Sequence, residues 1–237
     1  MNRLVDRKSW YSVFMLTVIN NLALFFRFRK IEICGRANLP DGACIVISNH
    51  SSRWDSLIMQ KLLSRRANYM TSPNELVGLQ GALIPGIGSF PARASREVIK
   101  FIAQQAKKKE PLVVFPEGTV YYDGVTHPFK TGTARIALSL NEMGIAVPIV
   151  PVAIRYDKND KRKVQVSVGQ PVDVHDYAEH FRAEPALASK SLTSSLHREM
   201  CHLRMELGDT ADKETLFLGS LARSWAPLLC SMSTAER

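Results

Sequence analysis

The chain has 237 residues, of which 46% are apolar and 22% are charged. This balance is typical of a folded globular protein and excludes disordered, collagenous and coiled-coil classes. The length fits one large domain or at most two small ones. The net charge of +9 predicts an anionic partner, which could be nucleic acid, an acidic membrane surface or a phosphorylated substrate.

The first predicted element is an apolar helix over residues 10–26, with basic residues on both sides. No signal-peptidase site follows it, and the run is a little short for a membrane span, which needs about 20 apolar residues. Thr17, Asn20 and Asn21 form one narrow polar stripe. The pattern favours partial burial in a membrane interface, with the stripe against protein or headgroups. The alternative is an ordinary core helix.

After this helix, short apolar runs alternate with amphipathic segments, which predicts an α/β fold with a mixed, partly parallel sheet flanked by helices. Residues 1–30 are therefore predicted as a membrane-associating segment and residues 31–237 as one domain, whose sheet does not need that segment. The strand predicted at residues 163–168 alternates between apolar and polar residues, as an edge strand does. Strands are predicted at residues 31–34, 43–48, 68–71, 112–115, 145–154 and 163–168. Helices are predicted from residue 55, over 95–109 and 131–143, and from about 173 onward, including an apolar stretch at 216–229.

Polar loops follow two of the buried strands, and ligands of open α/β sheets bind beyond the carboxyl ends of strands. His50 and Asp55 lie in the first loop and Glu117 in the second, so all three are expected in one cleft. A carboxylate on one imidazole nitrogen leaves the other nitrogen free to accept a proton. No protein nucleophile is evident beside the pair. The structural alternative is a helix cap and a loop histidine.

The motif N-H-x-x-x-x-D at residues 49–55, followed by F-P-E-G-T at 115–119, resembles the glycerolipid acyltransferases, specifically the 1-acylglycerol-3-phosphate acyltransferases. Further similar blocks occur at residues 88–93, 128–132 and 147–152, so the resemblance covers about residues 30 to 170. It implies acyl transfer from acyl-CoA or acyl-carrier protein to a lysophospholipid hydroxyl, at a membrane. It also implies that His50 is the general base and that Asp55 orients it.

The same resemblance assigns the acceptor's glycerol and phosphate to Arg93, Glu117, Gly118 and Thr119, and Lys130 adds a positive charge. The Gly118 loop is one candidate source of N–H donors for the oxyanion. Val120 stands where many members carry arginine, and residues 91–92 also depart from the family pattern. Lysophosphatidate is therefore the first acceptor expected, and a related lysolipid is left open.

Two other functions compete with acyl transfer. A lipid hydrolase would use Ser51 or Ser52 as the nucleophile beside His50, and a nucleic-acid-binding protein would use the positive charge. No metal site is expected, because the histidines and cysteines match no zinc pattern. No cofactor is expected, since the glycines at 86 and 88 do not continue into a dinucleotide-binding motif. No nucleic-acid partner is expected, because the positive charge is dispersed and no recognition helix is evident. The apolar helix predicts a membrane-associated protein, and the four cysteines lack disulfide spacing, which favours a reducing, cytoplasmic compartment.

Overall fold

A computed structural model describes residues 4–76, 84–92 and 95–209 of the chain. Within these ranges seven strands form one sheet, and six α-helices cover its two faces. The strands are β1 (Lys30–Cys34), β2 (Ile45–Ser48), β3 (Asn68–Thr71), β4 (Ser89–Pro91), β5 (Leu112–Val114), β6 (Ile149–Tyr156) and β7 (Lys163–Val168). The helices are α1 (Trp10–Arg27), α2 (Asp55–Leu63), α3 (Arg96–Lys107), α4 (Gly132–Glu142), α5 (His175–Ala183) and α6 (Pro185–Glu206).

The strand order in the sheet is β1-β7-β6-β2-β5-β3-β4. Strands β2 to β6 run parallel, β7 is antiparallel to β6, and β1 is parallel to β7. The mixed, mostly parallel sheet predicted from the sequence is confirmed. We call the edge where β2, β5 and β6 end the carboxyl edge. The hairpin joining β6 to β7 and the start of β1 also lie there, because these last two strands run in the reverse direction.

Three sequence predictions about strands need correction. Strand β7 is an interior strand beside β6 and is not at the edge, which β1 occupies. Its alternation arises because Val164, Val166 and Val168 are buried in the core beneath the sheet. Strand β6 starts four residues later than predicted and continues two residues further, to Tyr156. The short edge strand β4 was not predicted, because three residues ending in proline carry almost no periodic signal.

Two hydrophobic cores lie on opposite faces of the sheet. Helices α1 and α2 pack on one face, where Leu24, Phe28 and Ile58 are at most 4% exposed. Helices α3 to α6 pack on the other face. Every residue of β2 is buried, which explains the continuous apolar run that predicted a strand covered on both sides.

The polar stripe of α1 faces protein. Asn20 donates to the carbonyl of Leu57 at 2.9 Å, and Gln60 of α2 donates to Thr17 at 3.3 Å. The opposite face of the helix presents apolar side chains to the outside. These exposed residues are Trp10, Tyr11, Phe14, Met15, Val18, Ile19, Leu22, Phe25 and Phe26. In the described part of the chain, no helix combines the length and hydropathy needed to cross a membrane.

Both ends of α1 are fixed to the sheet. Just before the helix, Lys8 Nζ lies fully buried, 3.0 Å from Asp6 and 3.0 Å from Glu110, at the edge opposite the carboxyl edge. Just after the helix, Phe28 packs edge-to-face on Trp54, with ring centroids 5.7 Å apart. The helix is thus attached to the domain through an ion-pair network at one end and aromatic packing at the other.

Candidate active site

His50 and Asp55 form a hydrogen-bonded pair at the carboxyl edge. His50 follows β2 and Asp55 begins α2, and the connecting loop brings His50 Nδ1 to 2.9 Å from Asp55 Oδ2. The imidazole stacks on Phe115, with centroids 4.1 Å apart and an interplanar angle of 19°. The ring is therefore fixed on one face and at Nδ1, and its Nε2 is left to meet a substrate. The loop geometry is that of a base with its orienting carboxylate.

The carboxylate of Asp55 is fully buried and meets four hydrogen-bond partners. Besides His50, its Oδ2 accepts the backbone N–H groups of Ser51 and Ser52, each at 2.8 Å. Its Oδ1 accepts the hydroxyl of Tyr156 at 2.6 Å. Burial, followed by the nearby charge of Asp55, raises the pKa of Tyr156, so this tyrosine remains a hydrogen-bond donor. A carboxylate surrounded in this way is fixed in position and holds the histidine in one orientation.

Asn49 fixes the backbone from which His50 extends. Its Oδ1 accepts the N–H of Ile154 at 2.8 Å, and its Nδ2 donates to the carbonyl of Ile154 at 3.0 Å. The amide thus satisfies both backbone groups of Ile154, on β6, where β2 itself has ended. The main chain can therefore leave the sheet at this point without losing hydrogen bonds, and His50 turns towards Asp55.

Glu117 connects the second loop to the first. Its Oε1 accepts the backbone N–H of His50 at 3.0 Å, while its Oε2 is buried and has no hydrogen-bond partner among the described residues. Burial raises the pKa of Glu117 to about 7, although the backbone N–H groups of His50 and His127 oppose that rise. The structure brings His50, Asp55 and Glu117 together, as the sequence predicted. An orphaned, buried carboxylate oxygen is a natural acceptor for a substrate hydroxyl.

Gly118 turns the second loop with a φ of +80°. A Cβ atom at this position would lie 2.7 Å from Lys130 Cε, so the glycine permits the lysine side chain to cross the loop. The N–H of Gly118 donates to the carbonyl of Phe115 at 3.0 Å, so an oxyanion donor from this loop would have to be another of its N–H groups. Thr119 follows at an exposed position.

The segment after Thr119 is attached to both the site and α6. The N–H of Tyr121 donates to the carbonyl of His50 at 2.9 Å, and the ring of Tyr121 stacks on His127. From α6, Arg204 donates to Thr126 at 2.8 Å and also forms an ion pair with Asp209. Helix α6 therefore positions the loop that borders the His50 side of the cleft.

Arg93, assigned to the acceptor phosphate by the sequence, lies outside the described residues, as does the apolar stretch at 216–229. Sequence reasoning missed Tyr156 and the bridging role of Asn49. Tyr156 had one usable signal, a polar residue at the carboxyl end of a strand, but β6 was predicted to end before it. Asn49 stands beside His50 in the motif, yet its partner is 105 residues away.

The part of the chain that contains these loops is similar to proteins of a known family. The Acyltransferase family model matches residues 30–155, which contain both loops. A chloroplastic 1-acyl-sn-glycerol-3-phosphate acyltransferase of Brassica napus is 30% identical over 54% of this chain and 38% of its own length. The 1-acyl-sn-glycerol-3-phosphate acyltransferase of Pseudomonas aeruginosa is 25% identical over 52% of this chain and 49% of its own.

The chain therefore spans about half, or less, of the length of these relatives. Among solved structures, the 1-acyl-sn-glycerophosphate (LPA) acyltransferase PlsC of Thermotoga maritima superimposes with a TM-score of 0.59 at 23% identity, over 81% of this chain and 79% of that one. This likeness establishes a shared fold. Since the family model covers more than half of the sequence and contains both site loops, the chain belongs to the acyltransferase family.

Proposed function

We propose that the protein transfers an acyl group from a thioester, acyl-CoA or acyl-carrier protein, to the free hydroxyl of a lysophospholipid. The observation that carries the proposal is the His50–Asp55 pair, whose orienting carboxylate is saturated while the outer nitrogen of the imidazole is available. The names of the relatives favour 1-acylglycerol-3-phosphate as the acceptor and phosphatidate as the product. The departures around Val120 keep a related lysolipid as the second candidate.

The chemistry follows from the geometry. His50 Nε2 takes the proton of the acceptor hydroxyl while the oxygen bonds to the thioester carbonyl carbon. The tetrahedral intermediate then expels the thiolate by cleavage of the C–S bond, and the imidazolium returns its proton to the leaving sulfur. Asp55 stabilises the imidazolium between these two steps. Glu117 Oε2 would accept a hydroxyl of the glycerol, and Lys130 with Arg93 would bind the phosphate.

A hydrolase mechanism is less well supported by the contacts. In the described part of the chain, no side-chain hydroxyl bonds to His50 Nε2. Ser52 instead uses its Oγ to accept the N–H of Trp54 at 3.3 Å, and the Oγ of Ser51 lies 3.5 Å from the amide nitrogen of Asn49. Both serines also give their backbone N–H groups to Asp55, which supports a role in holding the pair in place.

The test is an assay of the purified protein with a panel of lysophospholipids and acyl-CoA, in which thiol release and acylated lipid are both measured. We expect one mole of acylated lipid per mole of thiol. A serine-directed probe should label neither Ser51 nor Ser52. Thiol release without acylated lipid, or a trapped acyl-serine, would replace this proposal with hydrolysis.

The proposal places the enzyme on a membrane surface, on its reducing, cytoplasmic side. It is supported by the exposed apolar face of α1, where Phe25 and Phe26 are each 74% exposed. Deleting residues 1–28 would be a poor test, because it would also remove the buried Lys8 and Leu24. Substitutions on the outer face leave the core intact and are preferable.

We expect Phe25→Ser/Phe26→Ser to reduce flotation with liposomes and to lower activity on bilayer acceptors more than on short-chain, soluble ones. The matched control is Met143→Ser/Leu187→Ser, which removes two exposed apolar side chains from other surfaces. If both double variants float as well as the unmodified chain, α1 is not the membrane contact.

A further inference from the structure

The hairpin between β6 and β7, residues 157–162, leaves the sheet at the carboxyl edge directly after Tyr156. It carries three exposed cations, Lys158, Lys161 and Arg162. Among the described residues, none of the three forms a salt bridge. We call these three residues the hairpin cations. Exposed cations without partners are common on protein surfaces, so what matters here is their surroundings.

The two acidic residues of the hairpin do not neutralise these cations. Asp157 is turned towards the hairpin, where its Oδ1 accepts the N–H groups of Asn159 and Asp160 at 2.8 and 2.9 Å. Asp160 pairs with Arg29 at 3.2 Å and accepts the N–H of Arg162 at 3.1 Å. Both carboxylates therefore bond to the backbone of the hairpin or to Arg29 before β1. The outer surface of the hairpin keeps a net positive charge.

The hairpin is also fixed beside the apolar end of α1. The guanidinium of Arg27 donates to the carbonyl of Lys161 at 3.0 Å and lies over the rings of Phe28 and Trp54, 4.8 and 5.8 Å from their centroids. Phe25 and Phe26, the most exposed aromatic residues at that end, precede this contact by one or two positions. One continuous surface thus has an apolar part and a cationic part, with the His50 site at the same edge.

We propose that the hairpin cations bind the headgroups of anionic phospholipids in the bilayer that α1 enters, and so select acidic membranes and hold the carboxyl edge against them. The inference rests on the proposed membrane association. Lipid is favoured as the occupant because cations next to an apolar face match an acidic bilayer, which offers negative headgroups above hydrocarbon. Each such residue contributes about 1 kcal/mol near an anionic surface, so removal of three predicts a loss on the order of a hundredfold in binding at low salt.

The test compares two triple variants with the same change in net charge. The first is Lys158→Gln/Lys161→Gln/Arg162→Gln. The matched control is Lys100→Gln/Lys107→Gln/Lys109→Gln on and after α3, where Lys107 and Lys109 lie at the opposite edge of the sheet. Each is floated with phosphatidylcholine vesicles, with and without phosphatidylglycerol, at low and high salt.

We expect the unmodified chain and the control to prefer phosphatidylglycerol vesicles at low salt, and the hairpin variant to lose that preference while still binding neutral vesicles. High salt should make all three proteins alike, because surface charge is screened. Equal losses in both triple variants would show that net charge alone acts, and an unchanged hairpin variant would remove the hairpin from the interface. Either result overturns the proposal.

A second measurement separates this surface from a donor site. With a short-chain, water-soluble lysophospholipid and no bilayer, the hairpin variant should keep the KM for acyl-CoA of the unmodified chain. A raised donor KM would assign the cations to the phosphates of CoA and overturn the lipid assignment. Flotation needs no catalysis, so failure of the proposed acyl transfer would leave the vesicle result readable by itself.

Discussion

The two loops of the site hold two buried carboxylates in opposite circumstances. Asp55, beside the β2 loop, is met by two backbone N–H groups, a tyrosine hydroxyl and an imidazole. Glu117, in the β5 loop, accepts the backbone N–H of His50, and its other oxygen is buried with no hydrogen bond of ordinary geometry in the described part of the chain. The first carboxylate has a partner at each oxygen. The second has one oxygen left over, which is the oxygen proposed above as an acceptor for a substrate hydroxyl.

The largest effect on turnover should come from replacing His50 or Asp55. We expect His50→Ala to lower kcat by roughly 10²- to 10⁴-fold and Asp55→Asn to lower it by a comparable or larger factor, because an amide favours the wrong imidazole tautomer. Circular dichroism should show both variants folded. His180→Ala, an exposed histidine on α5, is the control and should retain full turnover. Near-normal turnover of His50→Ala would contradict the mechanism.

The burial of Glu117 should affect how the free energy of unfolding depends on pH. The pKa of Glu117 is raised from 4.5 to about 7 by burial, so the folded protein holds this proton more tightly than the unfolded chain does. The resulting stability is fully present below pH 4.5 and is lost as the pH rises to about 7. Glu117→Gln carries no proton to lose. We expect it to match the unmodified chain near pH 4.5 and to exceed it by up to about 3 kcal/mol at pH 8.

Urea unfolding at several pH values measures this difference. Glu142→Gln, at an exposed position on α4, is the control and should show no pH-dependent gain. Acceptor KM should rise in Glu117→Gln if Oε2 binds the glycerol. If the free energy of unfolding varied with pH in the same way for the unmodified chain and Glu117→Gln, burial would not raise the pKa of Glu117.

A smaller effect is expected when Asp55 loses one of its four partners. Tyr156→Phe removes the 2.6 Å bond and makes Asp55 more like Glu117. We expect a loss of about 1.5–3 kcal/mol in the free energy of unfolding, typical of a bond to a charged group, with a several-fold fall in kcat. Tyr69→Phe is a matched control, because the buried Tyr69 hydroxyl has no partner among the described residues. Equal stability of the two variants would mean that the Asp55 bond contributes nothing.

Most of what the sequence predicted correctly is local. The His50–Asp55 pair spans five positions, and its loop joins a buried strand to a helix, so period and spacing were enough to find it. The strand β2 was evident from its continuous apolar residues. The parts that were missed depend on distant partners. Asn49 bonds to Ile154, and Tyr156 reaches Asp55 across the sheet from β6, so neither contact leaves a local pattern.

The engaged N–H of Gly118 illustrates the same limit within a single loop. The glycine was placed in a loop after β5, but which carbonyl its N–H would meet depends on the backbone angles of that loop, with φ at +80°. The interior position of β7 likewise depends on β1, a strand more than a hundred residues earlier in the chain. The alternation of apolar and polar residues in β7 indicated which face of the strand is buried, but it carried no information about the position of β7 in the sheet.

The buried Lys8 network has a mechanical consequence. Because Lys8 and Glu110 hold one end of α1 and Phe28 holds the other, the helix cannot tilt separately from the sheet. Its 18 residues form a stiff rod about 27 Å long. The helix and the sheet therefore move as one rigid body. If α1 lies on a bilayer as proposed, its orientation there also sets the orientation of the His50 site.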